Sequence, residues 1–451
     1  MSVERRGCVK QPEPASQLSQ CGRRKACGQA KPFAISKWEV QAAFDKVKAN
    51  QGGAGIDGVT LEVFERNLKN NLYKIWNRLS SGTYFPPSVK AVNISKKTVG
   101  VRTLGIPTVG DRVAQMVIKE RLEAIIEPCF LSDSYGYRPA KSAIQAIGIT
   151  RKRCWEYNWV LEFDIKGLFD NIRHDLLLKA VEKHVANGSQ IQGQDLSWLT
   201  FYIKRWLVSP LQQDDGNIIL RDRGTPQGGV VSPLLANLFL HYVFDKWMQR
   251  EFPENPWCRY ADDGLVHAIT KGKAESLYER IKRRLEECGL ELHPEKTKII
   301  YCKDDKRKGT YLHTSFDFLG YTFRQRRCRK CSDNTFFNSF IPAVSMMAMK
   351  AMRRRIRELK IRQKSHYSLE ELSRWLNPIV QGWISYYGQY CRSGLDPVFR
   401  HINKTLVRWA RRKFKTLKRH KSRTIGLFDR LSVKCSKLFA HWRFGSARTF
   451  A

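Results

Sequence analysis

The chain has 451 residues, 42% of them hydrophobic, and contains 12 Trp and 23 Phe. This length and composition allow roughly two to four domains with proper cores and exclude a disordered chain. The formal net charge of +38 exceeds what solubility requires and predicts a polyanionic partner, most simply nucleic acid. An anionic membrane surface is the rival partner, but no apolar run reaches the ~18 residues that a membrane-spanning helix needs. No spanning helix and no membrane partner are therefore expected.

The 12 cysteines and the N-terminal residues narrow the class of protein further. Cys328 and Cys331 form one C-x-x-C pair without a second pair at zinc-finger spacing, so we expect no structural zinc and a reducing intracellular compartment. Residues 1–35 are basic, contain Gly and Pro, and have no apolar segment, which predicts a flexible basic arm rather than a secretory signal. An organellar presequence stays open as an alternative.

Helices and one short strand are predicted before residue 158. Ser36 and Glu39 match a capping box, which predicts the start of the first helix. The pattern of residues Val89 to Ile94 predicts a strand that precedes a basic turn. The expected helices cover residues 36–49, 60–79 and 111–126.

Residues 159–165, with the sequence WVLEFDI, alternate between apolar and acidic positions. Trp159, Leu161 and Phe163 share one face and Asp164 lies on the other, which predicts a half-buried strand. Asp164 is therefore expected at a strand end, where a carboxylate is held rigidly.

Further elements are predicted after this strand. A helix is expected from Asp170 to Val185, and the loop RGTPQGG over residues 223–229 precedes an apolar helix with Ser232 as cap and Pro233 at its first position. The remaining predicted elements are an amphipathic helix over 273–288 and strands at 266, 290–292 and 299–301.

The stretch RYADDGLVH, residues 259–267, places two aspartates side by side near the tip of a predicted hairpin. Asp263-Gly264 is a turn signal because Gly264 can adopt positive φ without strain, so a plain turn is one interpretation. The adjacent Asp262 adds a repulsion that a turn does not need. A divalent cation between the carboxylates would remove this repulsion, so the other interpretation is a metal site with a third carboxylate elsewhere.

Asp164, Asp262 and Asp263 form the carboxylate set that two-metal nucleotidyl transfer requires. In that chemistry, one Mg²⁺ lowers the pKa of a 3′-hydroxyl and the other neutralises the leaving pyrophosphate. Three aspartates suffice because Mg²⁺ completes its coordination with water and substrate phosphates. The predicted cofactor is two Mg²⁺ ions, with Mn²⁺ as a substitute.

The region after residue 345 is predicted to be helical and very basic. Lys404 to Arg423 holds ten Lys or Arg residues and no acid, and these cations would repel one another without a polyanion. Contact with an RNA or DNA backbone is therefore favoured over a solvated charged face. An aromatic stripe at helical spacing is favoured as core over a base-stacking platform. This stripe comprises Trp383, Tyr386, Tyr387 and Tyr390.

Several motifs occur in the order of reverse-transcriptase motifs, namely DIKGLFDNIRHDLL, RGTPQGGVVSPLLANLFLH, RYADD and GLELHPEKTK. With them, the chain resembles the group II intron-encoded reverse transcriptases, or maturases. SYGYRPAKSA and VRTLGIPTVGDRVAQ are similar to that family's finger motifs, FDFLGYTF to its primer grip and LNPIVQGWISYYGQY to its thumb or maturase X domain. The resemblance covers about residues 36–445 and is to bacterial members that lack a C-terminal H-N-H endonuclease domain.

The resemblance implies an α+β fold shaped as a right hand, with fingers, a palm with an antiparallel sheet, a helical thumb and a basic helical C-terminal region. The implied domains are a basic arm over 1–35, an N-terminal extension and fingers over 36–158, a palm with part of the fingers over 159–340, a thumb or maturase X domain over 341–400 and a DNA/RNA-binding region over 401–451.

The resemblance also implies roles for the residues that match its motifs. Asp164, Asp262 and Asp263 would be catalytic and hold the metal ions, assisted by the carbonyl of Ile165. Phe169 would block a ribose 2′-hydroxyl and so select dNTPs, with a core Phe as the alternative. The implied dNTP-binding residues are Lys96, Arg102, Lys166, Gly167, Leu168, Phe169, Gln227 and Gly228.

Two further sets of residues are predicted. The candidate proton donors to pyrophosphate are Lys296 and Lys298. The predicted nucleic-acid contacts are Arg353, Arg354, Arg355, Arg408, Arg411, Arg412, Lys413, Lys415, Lys418 and Arg419. The chain departs from the family at Leu168, Arg173, Ser95 and Thr103, which bear on finger geometry and remove no metal ligand.

The predicted function is an RNA-directed DNA polymerase that binds its group II intron RNA, promotes its splicing and copies it into cDNA during retrohoming. The expected partners are the intron RNA in a ribonucleoprotein, an RNA template with a DNA or RNA primer, target DNA and dNTPs, in the cytoplasm and near the nucleoid of a bacterium. Two alternatives remain open. A splicing-only maturase would lose the aspartates, whereas a domesticated reverse transcriptase in DNA repair or phage defence would keep the same chemistry.

Overall fold

The structure mixes helices with three small sheets. It is a computed structural model, which describes residues 31–95, 101–213, 215–330, 332–444 and 450. Most of the predicted basic arm, together with Lys96 and Cys331, lies outside these residues. Within them, no helix is both long and apolar enough to cross a membrane. The α+β class and the antiparallel palm sheet agree with the right-hand polymerase fold that the sequence predicts.

The first part of the chain packs helices around a β-hairpin. Its elements are α1 (Lys37–Asn50), α2 (Leu61–Glu65), α3 (Leu68–Ser80), β1 (Val89–Ser95), β2 (Val101–Ile106), α4 (Val109–Ile126) and α5 (Ala143–Glu156). The capping box is confirmed, because Ser36 and Glu39 each accept a hydrogen bond from the other's backbone N–H. The single helix predicted over 60–79 is wrong, since Asn67 leaves the helical region at φ −127° and ψ 42° and divides it into α2 and α3.

The central part forms the palm and completes the fingers. Its elements are β3 (Trp159–Asp164), α6 (Leu168–Asn171), α7 (His174–Gln192), α8 (Ser197–Leu207), β4 (Leu211–Gln212), β5 (Ile218–Ile219), α9 (Ser232–Leu240), α10 (Lys246–Glu251), β6 (Trp257–Tyr260), β7 (Asp263–Ala268), α11 (Lys271–Glu287), β8 (Lys298–Tyr301), β9 (Ser315–Phe318), β10 (Tyr321–Arg329) and β11 (Phe336–Val344). A π-helical turn, His241–Asp245, joins α9 to α10.

Three sheets divide these strands. The palm sheet has the order β6-β7-β3-β8 and is antiparallel throughout. The finger sheet has the order β2-β1-β4-β5, in which β1 and β4 run parallel. The order of the third sheet is β11-β10-β9.

Strand β3 is more deeply buried than its sequence predicts. Val160 and Leu161, which point to opposite faces, are 0% and 1% exposed, so the expected half-buried strand is wrong. The polar face that carries Asp164 lies in a cleft beneath β9 rather than in open solvent. A strand whose acidic residues line a cleft has the same alternation in sequence as a strand at the surface.

Three other local predictions are wrong. The helix expected over 170–185 breaks at Ile172, which has φ −59° and ψ 120° and separates α6 from α7. Ser232 does not cap α9 but is its first residue, and its hydroxyl bonds that of Thr225 at 2.8 Å. The strand expected over 290–292 is a single bridge between Leu292 and Ile165.

The last part of the chain is helical. Its elements are α12 (Met346–Glu358), α13 (Leu369–Tyr387), α14 (Asp396–Lys413) and α15 (Lys421–Lys434). These helices bury a core of their own that includes Leu376, Phe399 and Trp442. A separate and larger core joins the fingers to the palm, and a third lies between α5, the palm sheet and β9–β11. The C-terminal helices therefore form a packing unit distinct from the palm.

The turn between β6 and β7 differs from the predicted one. Tyr260 pairs with Asp263, so the two turn residues are Ala261 and Asp262. Ala261 has φ 57°, a left-handed conformation that strains a residue with a Cβ. Gly264 lies inside β7 and needs no positive φ. A Cβ at Gly264 would lie 2.1 Å from the Phe163 ring, so this glycine is required by close packing between β7 and β3.

We expect Gly264→Ala to destabilise the protein by about 1–3 kcal/mol or more, because the added methyl group overlaps the fully buried Phe163 ring. Urea unfolding measures the change. Gly272→Ala in α11 is the matched control, since its Cβ would meet no atom within 4 Å and alanine favours the helix by roughly 0.5–1 kcal/mol. Equal stabilities for the two variants would contradict this account.

Candidate active site

Two of the three predicted aspartates face each other across the middle of the palm sheet. Asp164 ends β3 and Asp263 begins β7, and their Cα atoms are directly paired in the antiparallel register. Side chains at such positions lie on the same face with Cβ atoms roughly 4.5–5.5 Å apart. Strand pairing thus brings together two residues that are far apart in sequence.

Asp262 completes the group from the adjacent turn. Its carbonyl accepts a hydrogen bond from the N–H of Ile165 at 3.3 Å, which ties the turn to the end of β3. The structure therefore brings all three aspartates together.

The electrostatics of the three carboxylates favour a cation between them. Burial, followed by the charges of Asp262 and Asp164, raises the pKa of Asp263 to about 7. Burial, followed by the charge of Asp164, also raises the pKa of Asp262. Neighbouring carboxylates whose negative charge is not fully neutralised bind divalent cations, because carboxylate oxygens are the hard donors that such ions prefer.

The aspartates do not form a complete metal cage on their own. Within the described ranges, no three acidic, histidine or cysteine side chains are arranged closely enough to ligate one ion. This arrangement still fits Mg²⁺, which binds through one or two carboxylates and fills its remaining positions with water and substrate phosphates. The bridge that links Ile165 to Leu292 uses the carbonyl of Asp164 and the N–H of Lys166. It therefore does not engage the carbonyl of Ile165, the fourth predicted ligand.

Lys296 is the predicted proton donor that contacts the aspartates. Its Nζ lies 2.5 Å from Oδ2 of Asp164. Burial acts to lower the pKa of Lys296, but the hydrogen bond and the charge of Asp164 outweigh it and raise that pKa. Lys298 pairs with Glu162 across β8 and β3 and lines the same cleft. Lys296 is thus nearer the reacting position than Lys298.

A cleft opens beside the aspartates. Its volume is about 560 Å³, and Asp164 and Asp263 lie on its wall with Lys296. The opposite wall is formed by β9 with Phe316, Asp317 and Phe318, and by Met347 of α12. The cleft therefore lies between the palm and the first helix of the C-terminal unit.

Residues of the predicted nucleotide pocket meet on the finger side of the aspartates. The Nε of Arg102 in β2 donates to Oε1 of Gln227, whose Nε2 donates to Asp170 at 3.2 Å. Gly228 has φ 121°, and a Cβ there would lie 2.4 Å from the carbonyl oxygen of Gly105. The Gly/Pro loop thus holds β2 against the palm, and Gly228 is the residue that permits the approach.

Phe169 lies beside the Gly/Pro loop. It is buried, its ring meets that of Tyr137 edge-on at 6.5 Å between centroids, and its carbonyl accepts from the N–H of Thr225 at 2.7 Å. Gly167 starts this segment with φ 59°, and Leu168 is buried. Lys166 lies apart from the pocket, because its Nζ pairs with Glu291 at 3.1 Å.

Arg259 is a residue to which the sequence analysis assigned no role. It is fully buried and pairs with both carboxylate oxygens of Asp245 at 2.8 and 2.6 Å. The same guanidinium donates to Asn237 at 3.1 Å, to the carbonyl of Ala261 at 3.2 Å and to Ser134 at 2.9 Å. Arg259 therefore holds the strained Ala261 turn. Its position directly before the Tyr-Ala-Asp-Asp segment was the available signal, but a buried arginine cannot be distinguished from a surface one in sequence.

The predicted nucleic-acid contacts fall on two helices and the segment after the second. Arg353, Arg354 and Arg355 belong to α12, and the latter two line a larger cleft of about 1170 Å³ between α12, α13 and Gly320. Arg408 and Arg412 are exposed on α14, whereas Arg411 donates to the carbonyl of Lys418 and Lys413 to that of Tyr367. The remaining predicted contacts, Lys415, Lys418 and Arg419, are exposed.

The aromatic stripe mostly joins the C-terminal unit to the palm. Tyr386, Tyr387 and Tyr390 surround Tyr321 of β10, with ring centroids 5.4–5.9 Å from it. Tyr386 and Tyr390 donate to the carbonyls of Leu319 and Ile144 at 2.9 and 2.8 Å. These rings are engaged in packing, as the core interpretation predicts.

Two family models match the chain. Residues 94–323 match the reverse transcriptase (RNA-dependent DNA polymerase) family, and residues 349–425 match the group II intron, maturase-specific domain. The first match includes the three aspartates and the residues of the predicted nucleotide pocket, and the second includes most of α12 and all of α13 and α14. Reverse transcriptase domains generally act with divalent metal ions.

Relatives agree with both matches. The chain is 30% identical to Protein YkfC of Escherichia coli over 65% of its own length and 82% of that protein. It is 31% identical to the group II intron-encoded protein LtrA of Lactococcus lactis over 59% of its own length and 41% of LtrA. A third relative, the putative COX1/OXI3 intron 1 protein of Saccharomyces cerevisiae, is 26% identical over 66% of the chain and 34% of that protein.

The aligned part thus spans less than half of the latter two proteins, although it covers most of YkfC. Three observations agree with one another. Two aspartates face each other in an antiparallel palm, the reverse-transcriptase model matches half of the chain, and the maturase-specific model matches the part that follows. The chain belongs to the group II intron-encoded reverse transcriptases, which join an RNA-directed DNA polymerase domain to a maturase-specific domain.

Proposed function

We propose that the chain copies RNA into DNA by two-metal nucleotidyl transfer, with Asp164, Asp262 and Asp263 holding the metal ions. The observation that carries this proposal is the direct pairing of Asp164 with Asp263 beside a cleft, with Asp262 in the adjoining turn. The raised pKa of Asp263 supports it, because the carboxylates lack a full complement of positive charge. The carbonyl of Ile165 would be a further ligand.

The metal ions, when bound, would lower the pKa of the primer 3′-hydroxyl and neutralise the leaving pyrophosphate. Arg102 and Gln227 would bind the triphosphate and the nucleotide opposite the palm, since their side chains meet at the mouth of the pocket. Lys296 would deliver a proton to pyrophosphate. Burial acts to lower the pKa of Lys296, and the contact with Asp164 raises it, so the ammonium group is held beside the carboxylate.

Phe169 would select the sugar. Its ring packs against Tyr137, and its backbone is held by Thr225 of the loop that carries Gln227. A ribose 2′-hydroxyl directed at this ring would find no hydrogen-bond partner on it and no space. The proposed substrates are therefore dNTPs.

The maturase-specific region would bind group II intron RNA, promote its splicing and, with the polymerase, copy it into DNA at a target site. The charge supports this partner, because Arg408 and Arg412 of α14 are exposed and Lys415, Lys418 and Arg419 follow them. The name of LtrA as a group II intron-encoded protein supports the same assignment. The splicing-only alternative is disfavoured, because the three aspartates are present and Asp164 is paired with Asp263.

Asp263→Asn is expected to lower dNTP incorporation on a primed RNA template by roughly 1000-fold or more, since several kcal/mol of charge stabilisation depend on the metal ions. RNA affinity should be retained, which filter binding of the same template measures. Asp195→Asn, an exposed carboxylate that bonds Ser197, is the matched control. Unchanged incorporation by Asp263→Asn would refute the proposed site.

Phe169→Val is expected to increase rNTP use relative to dNTP by roughly 10-fold or more, because a smaller side chain admits the 2′-hydroxyl. Single-nucleotide incorporation with each substrate gives the ratio of kcat/KM values. Phe44→Val removes the same volume from a buried site in α1 and should change stability without changing that ratio. If both variants leave sugar preference as it is in the parent, Phe169 is a core residue only.

Arg259→Lys is expected to lower kcat by roughly 10-fold to 100-fold, because lysine cannot pair with Asp245 and also hold the carbonyl of Ala261, and a displacement of about 1 Å has effects of this size. The KM for dNTP should change little, because none of the contacts of Arg259 is with Arg102 or Gln227. Steady-state kinetics separates the two constants. A rise in KM with unchanged kcat would contradict a positioning role for Arg259.

A further inference from the structure

The hairpin formed by β10 and β11 extends well beyond the core on which it is built. The two strands pair from Tyr321 and Val344 at one end to Arg329 and Phe336 at the other. At about 3.3 Å per residue, the far end lies roughly 26 Å from Tyr321. Tyr321, Phe323 and Phe340 are buried, whereas the residues beyond them become exposed. The hairpin is therefore anchored at one end and free of the core at the other.

Contacts along its length hold the hairpin against the palm. The backbone and side-chain amides of Asn338 donate to the carboxylate of Asp305 at 2.6 and 2.8 Å. The indole of Trp155 in α5 donates to the carbonyl of Phe340 at 3.0 Å. The far end thus projects from a fixed support, and it lies away from Asp317 and Gly320, which line the catalytic and C-terminal clefts.

Four arginines on β10 have no acidic partner among the residues that the structure describes. Arg324, Arg326, Arg327 and Arg329 occupy four of six consecutive positions, and none is within ion-pair distance of a carboxylate in the part of the chain that the structure describes. Lys330 differs, because it pairs with Asp333 at 3.1 Å. The Nε of Arg326 is buried without a partner among these residues. The Nη2 of Arg326 donates to the carbonyl of Thr322 at 3.3 Å. Four guanidinium groups without a carboxylate partner among the described residues repel one another, and a bound anion would reduce that repulsion.

Two exposed phenylalanines accompany the arginines. Phe336 and Phe337 are 58% and 41% exposed, and the guanidinium of Arg327 lies 4.0 Å from the centroid of the Phe336 ring. Phe336 is paired with Arg329, and Phe337 with Cys328. Because successive residues of a strand point to opposite faces, each face of the hairpin end carries one phenylalanine and two arginines. We call this set the basic hairpin, and it comprises Arg324, Arg326, Arg327, Arg329, Phe336 and Phe337.

We infer that the basic hairpin binds a single-stranded segment of RNA outside the catalytic cleft. Guanidinium groups bind phosphates, and exposed aromatic rings stack on unpaired bases. A duplex would engage the arginines alone, because its bases are already stacked and leave the phenylalanines without a partner. The inference rests on the proposed function only in taking RNA as the polyanion.

Binding of a single-stranded oligouridine of about 16 nucleotides tests the inference, since single-strand sites reach about this length. Fluorescence anisotropy is recorded over a range of salt concentrations. The Arg327→Gln/Arg329→Gln variant should bind about 10-fold more weakly, and its salt slope should fall by roughly 1.4, since each phosphate contact on a single strand contributes about 0.7. Phe336→Ala should bind about 5-fold more weakly or worse with an unchanged slope, because stacking involves no counterion release.

Matched variants show whether weaker RNA binding comes from this site or from any loss of positive charge or apolar surface. Lys282→Gln/Arg283→Gln removes two exposed cations from α11, and Ile191→Ala removes an exposed apolar side chain from α7. Both should bind RNA as the parent does, and thermal unfolding establishes that all variants are folded. Equal weakening by the controls overturns the inference, as does an equal loss on a blunt RNA duplex of the same length, which would indicate backbone contact alone.

A crosslinking measurement reports RNA bound at the hairpin itself, so RNA bound elsewhere on this basic chain does not affect the result. The Phe336→p-benzoylphenylalanine variant, on the same face as Arg327 and Arg329, should crosslink to the oligouridine on irradiation, and the Ile191→p-benzoylphenylalanine variant should not. Absence of a crosslink at position 336 overturns the inference. Primer extension separates it from the proposed function, because basic-hairpin variants should still incorporate dNTPs at saturating template. Failure of the parent chain to incorporate dNTPs would refute the polymerase assignment without affecting the binding result.

Discussion

The palm must overcome the mutual repulsion among Asp164, Asp262 and Asp263, and the rest of the site depends on how it does so. A folded chain brings three carboxylates into one cleft only if stronger forces hold the backbone there. Pairing of β3 with β7 supplies one such force, and the π-helical turn after α9 supplies another through Asp245 and its buried ion pair with Arg259. The site thus holds carboxylates whose mutual repulsion a divalent cation would relieve on binding.

Close backbone approaches position the surroundings of this site. Gly264 admits the ring of Phe163 beneath β7, and Gly228 admits the carbonyl of Gly105 where the fingers meet the Gly/Pro loop. Each approach leaves no space for a Cβ, so the palm and fingers are held at a fixed separation. Arg259 adds the restraint on Ala261, whose left-handed conformation is the strained point of the turn. Such rigidity suits a reaction in which the reacting atoms must be aligned closely.

The positive charge of the chain is divided among surfaces with different geometry. The cations of α12 line the cleft next to the palm, those at the end of α14 lie on the C-terminal unit, and the basic hairpin projects in a third direction. A protein that copies an RNA while binding other parts of the same RNA requires contacts outside its catalytic cleft. Contacts with a nucleic-acid backbone would set affinity and position at these surfaces, and the exposed aromatic rings distinguish the hairpin from the helices.

The sequence by itself determined the family, the three aspartates, the glutamine and glycine of the nucleotide pocket and the helical basic C-terminal part, because these depend on local motifs and composition. It did not determine which carboxylates face each other, since the pairing of Asp164 with Asp263 arises from strand register across about 100 residues. Only the tertiary structure decided that β3 is buried on both faces, that the turn falls at Ala261 and Asp262, and that Gly264 serves packing. It also decided that Arg259 is buried and paired while the arginines of β10 are exposed or unpaired. Identical side chains differ in role only through the neighbours that folding gives them, and those neighbours are distant in sequence.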